Sequence, residues 1–198
     1  MDRHVGEITA LLKKLGIYQN TLMFFTSDNG AAKRFDGIHN SSGVMQGKKR
    51  SLNEGGIRVP MVVRWPDKIK AGRVSGHPWY FPDVMPTFAE IGGVSTEVPE
   101  DIDGISILPT LLDKGVQKQH EYMFWQYGVR AVRSGKWKGI GKGGHLYLYD
   151  LSEDIEEKND LSSKHPKIAA RMKKYITIGY REPRSQKDDG KYTGKDKK

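Results

Sequence analysis

The sequence contains no cysteine, which excludes disulfides, thiolate metal sites and a cysteine nucleophile within its 198 residues. It also contains no apolar run of the about 18 residues that a membrane helix needs, so it predicts no membrane span. The amphipathic start, MDRHVGEITALLKKLG, shows no apolar core of the signal-peptide type.

Positive charge is concentrated at the end of the chain. The formal net charge is +9, and residues 163–198, with twelve Lys or Arg and four Asp or Glu, contribute +8 of it. Such a tail either binds a polyanion or is a solvated end, and the absence of a folded recognition motif favours the solvated end. We therefore expect residues 181–198 to be disordered and expect no nucleic-acid partner.

Hydrophobic spacing predicts an α/β arrangement in the first part of the chain. Residues 2–15 have the spacing of an amphipathic helix, and the near-continuous apolar run at 21–26 predicts a strand buried on both faces, as in a parallel sheet. A long polar loop without regular structure follows over 27–56, and a second strand is predicted over 57–65. A helix is predicted to begin after Asp83, with Asp83 as its N-cap.

Short aromatic and β-branched runs replace this pattern from about residue 121. Glycines separate the runs, which predicts an antiparallel meander, and HPKIAARMKKYI predicts a closing helix. We divide the chain into an α/β part at 1–120, a small antiparallel β-sheet plus helix at 121–180 and the basic tail at 181–198.

Asp28 and Asn29 follow the first predicted strand and precede Gly30. Carboxylate and amide oxygens suit Ca²⁺, which takes six to eight oxygen ligands, and sites in α/β sheets lie at the carboxyl ends of strands. SDNG is equally a good turn sequence. By themselves these residues leave both interpretations open and slightly favour the turn.

The segment QGKKRSLNEGGIRVP carries three consecutive cations, at 48–50, before Glu54. A lysine in such a loop can neutralise an oxygen of a bound sulfate or phosphate, and the alternative is a solvated basic loop. Glu54 and Arg58 are interpreted as a buried pair that fixes the loop. His39 lies in the same polar region, as a surface residue or as one that reaches substrate.

The combination of these segments resembles the sulfatase family of the alkaline-phosphatase-type superfamily. A strand ending in TSDNG, a lysine five residues before EGGIRVP and a strand ending in RWP occur in that order. FPDVMPTFAEIGGV, DGISILPTLL, AVRSGKWKGI and LYDLSEDIEEKNDL extend the resemblance over about residues 1–178. It implies part of a mixed or parallel α/β sheet with flanking helices, followed by a small C-terminal antiparallel sheet and helix.

The resemblance also implies roles for individual residues. Asp28 and Asn29 match a pair of Ca²⁺ ligands, and Lys49 matches a lysine that contacts the sulfate group, with Lys48 as the less suitable choice. His39 has a weaker claim to substrate binding. The implied activity is hydrolysis of a carbohydrate or aryl sulfate ester, the implied partner is a sulfated small molecule or glycan, and family members are usually exported to the periplasm, the extracellular space or the lysosome.

The sequence departs from the family pattern at the nucleophile. The family uses a formylglycine made from Cys or Ser in a C/S-x-P/A-x-R signature, and no such signature occurs here; the family's first acidic metal pair is also absent. We therefore expect the C-terminal portion of a sulfatase, inactive alone, with the N-terminal portion of the enzyme as a partner. A related phosphoester or phosphonate hydrolase and a non-catalytic binding module for anionic polymers remain alternatives.

Overall fold

The structure, a computed structural model, describes residues 1–35, 38–99 and 101–181. The described residues form two compact units, one drawn from 1–27 and 60–119 and the other from 28–59 and 120–181. Residues 28–59 thus cluster with the C-terminal sheet, whereas the sequence analysis placed them with the first domain. Apart from Arg181, the basic tail lies outside the described residues.

The first unit is built from short helices and one strand pair. Its helices are α1 (Asp2–Lys14), α3 (Val84–Ile91) and α4 (Leu108–Leu112), its strands β1 (Met23–Thr26) and β2 (Met61–Arg64), and its 3₁₀ turns Phe81–Asp83 and Ser95–Glu97. The helix predicted at 2–15 is confirmed, while the second strand is shorter than predicted. No helix in the described ranges has the length and apolar character that crossing a membrane requires.

The pairing of β1 with β2 corrects one expectation from the sequence. The two strands run antiparallel, with Met23 opposite Arg64 and Thr26 opposite Met61, so the expected parallel pairing is wrong for β1. Burial on both faces is wrong as well, because Phe25 is 41% exposed. Phe24 points to the other face and packs on Phe88, with ring centroids 5.6 Å apart. Successive side chains of a strand point to opposite faces, so an apolar residue of β1 can be exposed although the whole strand is apolar.

Asp83 stands at the predicted N-terminus of α3, but its carboxylate does not cap that helix. It accepts hydrogen bonds from the backbone N–H of Tyr80 at 3.0 Å and of Ile105 at 2.8 Å, and the residue is fully buried. Its role is to join the start of the helix to the segment before α4, which satisfies two backbone donors in the interior.

The second unit contains the predicted meander. Strands β3 (Met123–Tyr127), β4 (Val129–Ser134), β5 (Trp137–Lys142) and β6 (His145–Asp150) form one antiparallel sheet in sequence order, and α5 spans Pro166–Ile178. The antiparallel sheet and the closing helix are both confirmed. The same unit includes a 3₁₀ turn at Lys33–Phe35 and the single helical turn α2 (Glu54–Ile57), so the polar loop is not wholly irregular.

Each face of this sheet has its own cover. One face packs against α5, where Val132 and Leu148 of the sheet meet Met172 of the helix. The opposite face packs against the segment around α2, where Leu52 meets Ala131 and other sheet residues. A loop that the sequence analysis singled out for chemistry therefore serves as the second cover of the sheet.

Candidate functional site

The Asp28–Gly30 turn lies directly on α2. The backbone N–H of Gly30 donates to the carbonyl of Gly56 at 2.9 Å, and a Cβ at Gly30 would lie 1.9 Å from the carbonyl oxygen of Gly55. Only glycine permits this approach, because the obstacle is backbone rather than a flexible side chain. Asp28 is exposed and Asn29 is half-buried beside this contact.

Residues 46–58, called here the Lys49 loop, carry the predicted anion-binding lysine. A tight turn from Lys48 to Ser51 is closed by a 2.8 Å backbone hydrogen bond, and Arg50 adopts a left-handed conformation with φ 77° at its third position. The N–H of Lys49 donates to the carbonyl of Ala31 at 2.9 Å. The structure therefore brings the predicted metal segment and the predicted sulfate-binding segment into direct contact.

The side chains of this site differ in their exposure. Lys49 and Arg50 are exposed, while Lys48 is half-buried. His39, the weaker candidate for substrate binding, is also exposed and stands just before Asn40, whose carbonyl closes a turn with the N–H of Gly43 at 2.9 Å.

The donors at this site fit a calcium ion in kind but not in number. A carboxylate at Asp28 and an amide at Asn29 offer the oxygen donors that Ca²⁺ prefers, yet Ca²⁺ takes six to eight of them. Across the part of the chain that the structure describes, no group of three or more His, Asp or Glu side chains is placed to hold a metal ion. The two residues can thus supply only a share of a coordination sphere.

A buried ionic cluster lies beneath the Lys49 loop. It consists of Glu54, Lys138 and Glu157, called here the buried triad, each of which is at most 2% exposed. The Nζ of Lys138 lies 2.8 Å from Oε1 of Glu54 and 3.0 Å from Oε1 of Glu157. The other carboxylate oxygen of Glu157, Oε2, accepts the backbone N–H of Glu54 at 2.7 Å.

The buried triad changes the predicted partner of Glu54. The side chain of Arg58 is 53% exposed and its Nη1 lies 3.5 Å from Oε2 of Glu54, so Arg58 is a peripheral partner. The predicted loop-fixing role of Glu54 is supported, but its buried partner is Lys138. Sequence analysis missed Lys138, although it stands two positions before the core residue Ile140 and so shares its face of β5.

A further cation borders the buried triad. Burial lowers the pKa of the Arg133 guanidinium, and the neighbouring charge of Glu54 opposes that shift while Arg58 adds to it. The carboxylate of Glu54 thus faces three cations, those of Lys138, Arg58 and Arg133.

Comparison with known proteins places these features in a family. The sequence pattern of the family described as Sulfatase matches residues 1–94. The chain is 40% identical over 153 residues to a steryl-sulfatase of Mus musculus, which covers 71% of this chain. This chain belongs to the sulfatase family. The resemblance inferred from the TSDNG and EGGIRVP segments is thereby confirmed.

Two further similarities extend over most of this sulfatase chain. An N-acetylgalactosamine-6-O-sulfatase of Bacteroides thetaiotaomicron is 31% identical over 207 residues, which covers 89% of this chain. A solved structure from a study of glycosaminoglycan metabolism by the same organism superposes with a TM-score of 0.76 at 30% identity, which covers 90% of this chain and 42% of that one. The expected α/β fold of the sulfatases is confirmed. The chain spans 24% and 39% of the length of the two curated relatives.

Proposed function

We propose that this sulfatase chain forms the metal- and sulfate-binding side of an active site that hydrolyses a sulfated carbohydrate. The observation that carries the proposal is the pair of backbone contacts that joins the turn of Asp28 and Asn29 to the Lys49 loop. Oxygen donors and an exposed lysine on one rigid platform suit an anionic group and a cation bound side by side.

Each residue has a distinct role in this proposal. Lys49 contacts a sulfate oxygen and neutralises charge that develops there during S–O cleavage. Asp28 and Asn29 would hold part of a Ca²⁺ coordination sphere, and the ion, when bound, polarises the sulfate group as a Lewis acid. His39 is a secondary substrate contact. The formylglycine nucleophile of the family has no counterpart among these residues, so we propose that the chain alone does not turn over substrate.

The carbohydrate class is favoured by solved structures that resemble the chain. One, described as a complex with k-i-k-neocarrahexaose, superposes with a TM-score of 0.75 at 31% identity and covers 90% of this chain. A sulfated glycan also agrees with the exposed cations at Lys49 and Arg50, since an anionic polymer offers more than one negative group.

The proposal is tested by titrating the purified chain with N-acetylgalactosamine-6-sulfate and, as a control, with the unsulfated sugar. We expect NMR shifts at the amides of Ala31 and Lys49 with the sulfated sugar only. Lys49→Ala removes a charge-assisted contact of about 1.5–3 kcal/mol and should weaken binding roughly tenfold or more. Lys142→Ala, an exposed lysine at the end of β5, should bind as the wild type does.

Two outcomes would contradict the proposal. Equal shifts with both sugars, or unchanged affinity in Lys49→Ala, would remove the sulfate-binding role. Release of inorganic sulfate by the pure chain, measured by ion chromatography, would refute the proposed inactivity.

A further inference from the structure

We propose that Lys138 and Glu157 are positioning residues that lock the Lys49 loop onto the C-terminal sheet. The importance of this lock for catalysis rests on the proposed function, because it matters through the placement of Lys49. The attachment of the loop to the sheet involves contacts within one compact unit only, so it can be tested without substrate.

The buried charge of Lys138 makes detachment of the Lys49 loop energetically unfavourable. Its side chain is fully buried, and its ammonium group lies within 3.0 Å of a carboxylate oxygen of both Glu54 and Glu157. A buried charge is tolerated only while its partners stay in place. If the Lys49 loop lifted from the sheet, Glu54 would leave with it and the buried ammonium group would lose one of its two counter-charges. The triad therefore penalises movement of the loop.

Glu157 holds the loop at two points. Its carboxylate accepts the N–H of Glu54 at 2.7 Å, and its own carbonyl accepts the side-chain amide of Gln46 at 3.2 Å. The carbonyl of Gln46 in turn accepts the N–H of Gly55 at 2.7 Å. Glu157 adopts a left-handed conformation with φ 53°, which is unfavourable for a residue other than glycine and persists where surrounding contacts impose it.

The lock is transmitted to Lys49 through tightly packed backbone. A Cβ at Gly56 would lie 2.2 Å from the carbonyl oxygen of Ser51 and 2.6 Å from that of Lys48. The turn that carries Lys49 therefore rests on Gly56, two residues after Glu54. No flexible side chain lies between them at these contacts, so a shift of Glu54 moves the turn with it.

Amide hydrogen exchange tests the lock on the purified chain. Lys138→Met should accelerate exchange at Lys49 and Gly55 at least tenfold relative to the amides of β4 and β5, which report unfolding of the sheet. The matched control is Lys136→Met, on the turn before β5, which removes an ion pair with Asp150 at 2.7 Å but leaves the loop contacts intact. We expect this control to leave exchange at Lys49 unchanged.

Milder variants keep the test decisive if Lys138→Met does not fold. Gln46→Ala deletes the bond to the carbonyl of Glu157, and Glu157→Asp withdraws the carboxylate by one methylene group. Each should accelerate exchange at Gly55 and Lys49 without affecting β4. Exchange that rises by the same factor in the loop and the sheet, or that does not change at Lys49, would overturn the proposal.

Sugar binding separates this inference from the proposed function. Lys49→Ala should lose affinity for N-acetylgalactosamine-6-sulfate while its amide at position 49 keeps wild-type protection. Lys138→Met or Glu157→Asp should weaken binding and lose protection together. If the wild-type chain fails to bind the sulfated sugar, the proposed function fails, and the exchange data still decide the lock.

Discussion

Gly30→Ala is the substitution that should most directly separate the two halves of the candidate site. Its Cβ would lie 1.9 Å from the carbonyl oxygen of Gly55 and 2.8 Å from the carbonyl carbon. Ordinary contact begins near 3.4 Å, so the two backbones must move apart by about 1.5 Å. That movement breaks the hydrogen bonds from Gly30 to Gly56 and from Lys49 to Ala31, both 2.9 Å long.

The cost can be worked out from these contacts. Each lost backbone hydrogen bond contributes about 0.5–1.5 kcal/mol, and an overpacked contact costs about 1–3 kcal/mol. The free energy of unfolding should therefore fall by roughly 2–6 kcal/mol. Urea denaturation followed by circular dichroism measures it, as a lower midpoint at an unchanged slope.

Gly6→Ala is the matched control, because nothing lies within 4 Å of a Cβ at that position in α1. Alanine should stabilise this helix by about 0.5–1 kcal/mol. The reasoning is refuted if Gly30→Ala unfolds at the wild-type urea concentration, or if Gly6→Ala loses as much stability as Gly30→Ala.

Two further predictions concern the C-terminal sheet. Met172→Ala empties a fully buried position under α5 and should cost about 2–5 kcal/mol in thermal unfolding, while Ile178→Ala, 51% exposed, should change stability by less than about 0.5 kcal/mol. Burial of Asp160 favours its neutral form, but hydrogen bonds from His145 and from the backbone N–H of Leu148 and Ser162 outweigh burial and lower the pKa to about 2. The pKa of an aspartate in the unfolded chain is near 4, so the lowered pKa in the folded chain stabilises the fold at pH values above about 4. This contribution to the free energy of unfolding should be lost as the pH falls from about 4 to about 2. Asp160→Asn should remove that part of the pH dependence of unfolding. If the free energy of unfolding of Asp160→Asn falls with the same slope as that of the wild type between about pH 4 and pH 2, the lowered pKa is wrongly assigned to Asp160.

The sequence was enough to locate the candidate site but not to predict the contacts that hold it together. Asp28, Asn29 and Lys49 were identified because the TSDNG and EGGIRVP segments resemble the sulfatase family, and the structure brings these segments into contact through Gly30 and Gly56. The roles of these residues remain predictions, since neither the comparisons nor the fold tests them individually. Lys138 was missed because a lysine in a strand is ordinarily solvated, and only the packing of the Lys49 loop over that face buries it.

The same contrast holds for the strands. The short aromatic and β-branched runs after residue 121, with the glycines that separate them, were enough to predict the antiparallel sheet, because hairpin pairing is local. The pairing direction of β1 was predicted wrongly, because an apolar run shows that a strand is buried to some degree but not which strand lies beside it. Its antiparallel partner β2 begins 35 residues after β1 ends, a separation over which no local signal acts.

By itself, the sequence determined the family, the helices α1, α3 and α5 and the C-terminal meander, because these depend on spacing within short segments. The short helices α2 and α4 were not predicted. It also determined that no cysteine and no formylglycine signature lies in these residues. Only the tertiary structure decided that Glu54 pairs with Lys138 and Glu157, residues 84 and 103 positions further along the chain. Residues so far apart in sequence become partners only when the fold brings their segments together, and that is a property of the folded chain alone.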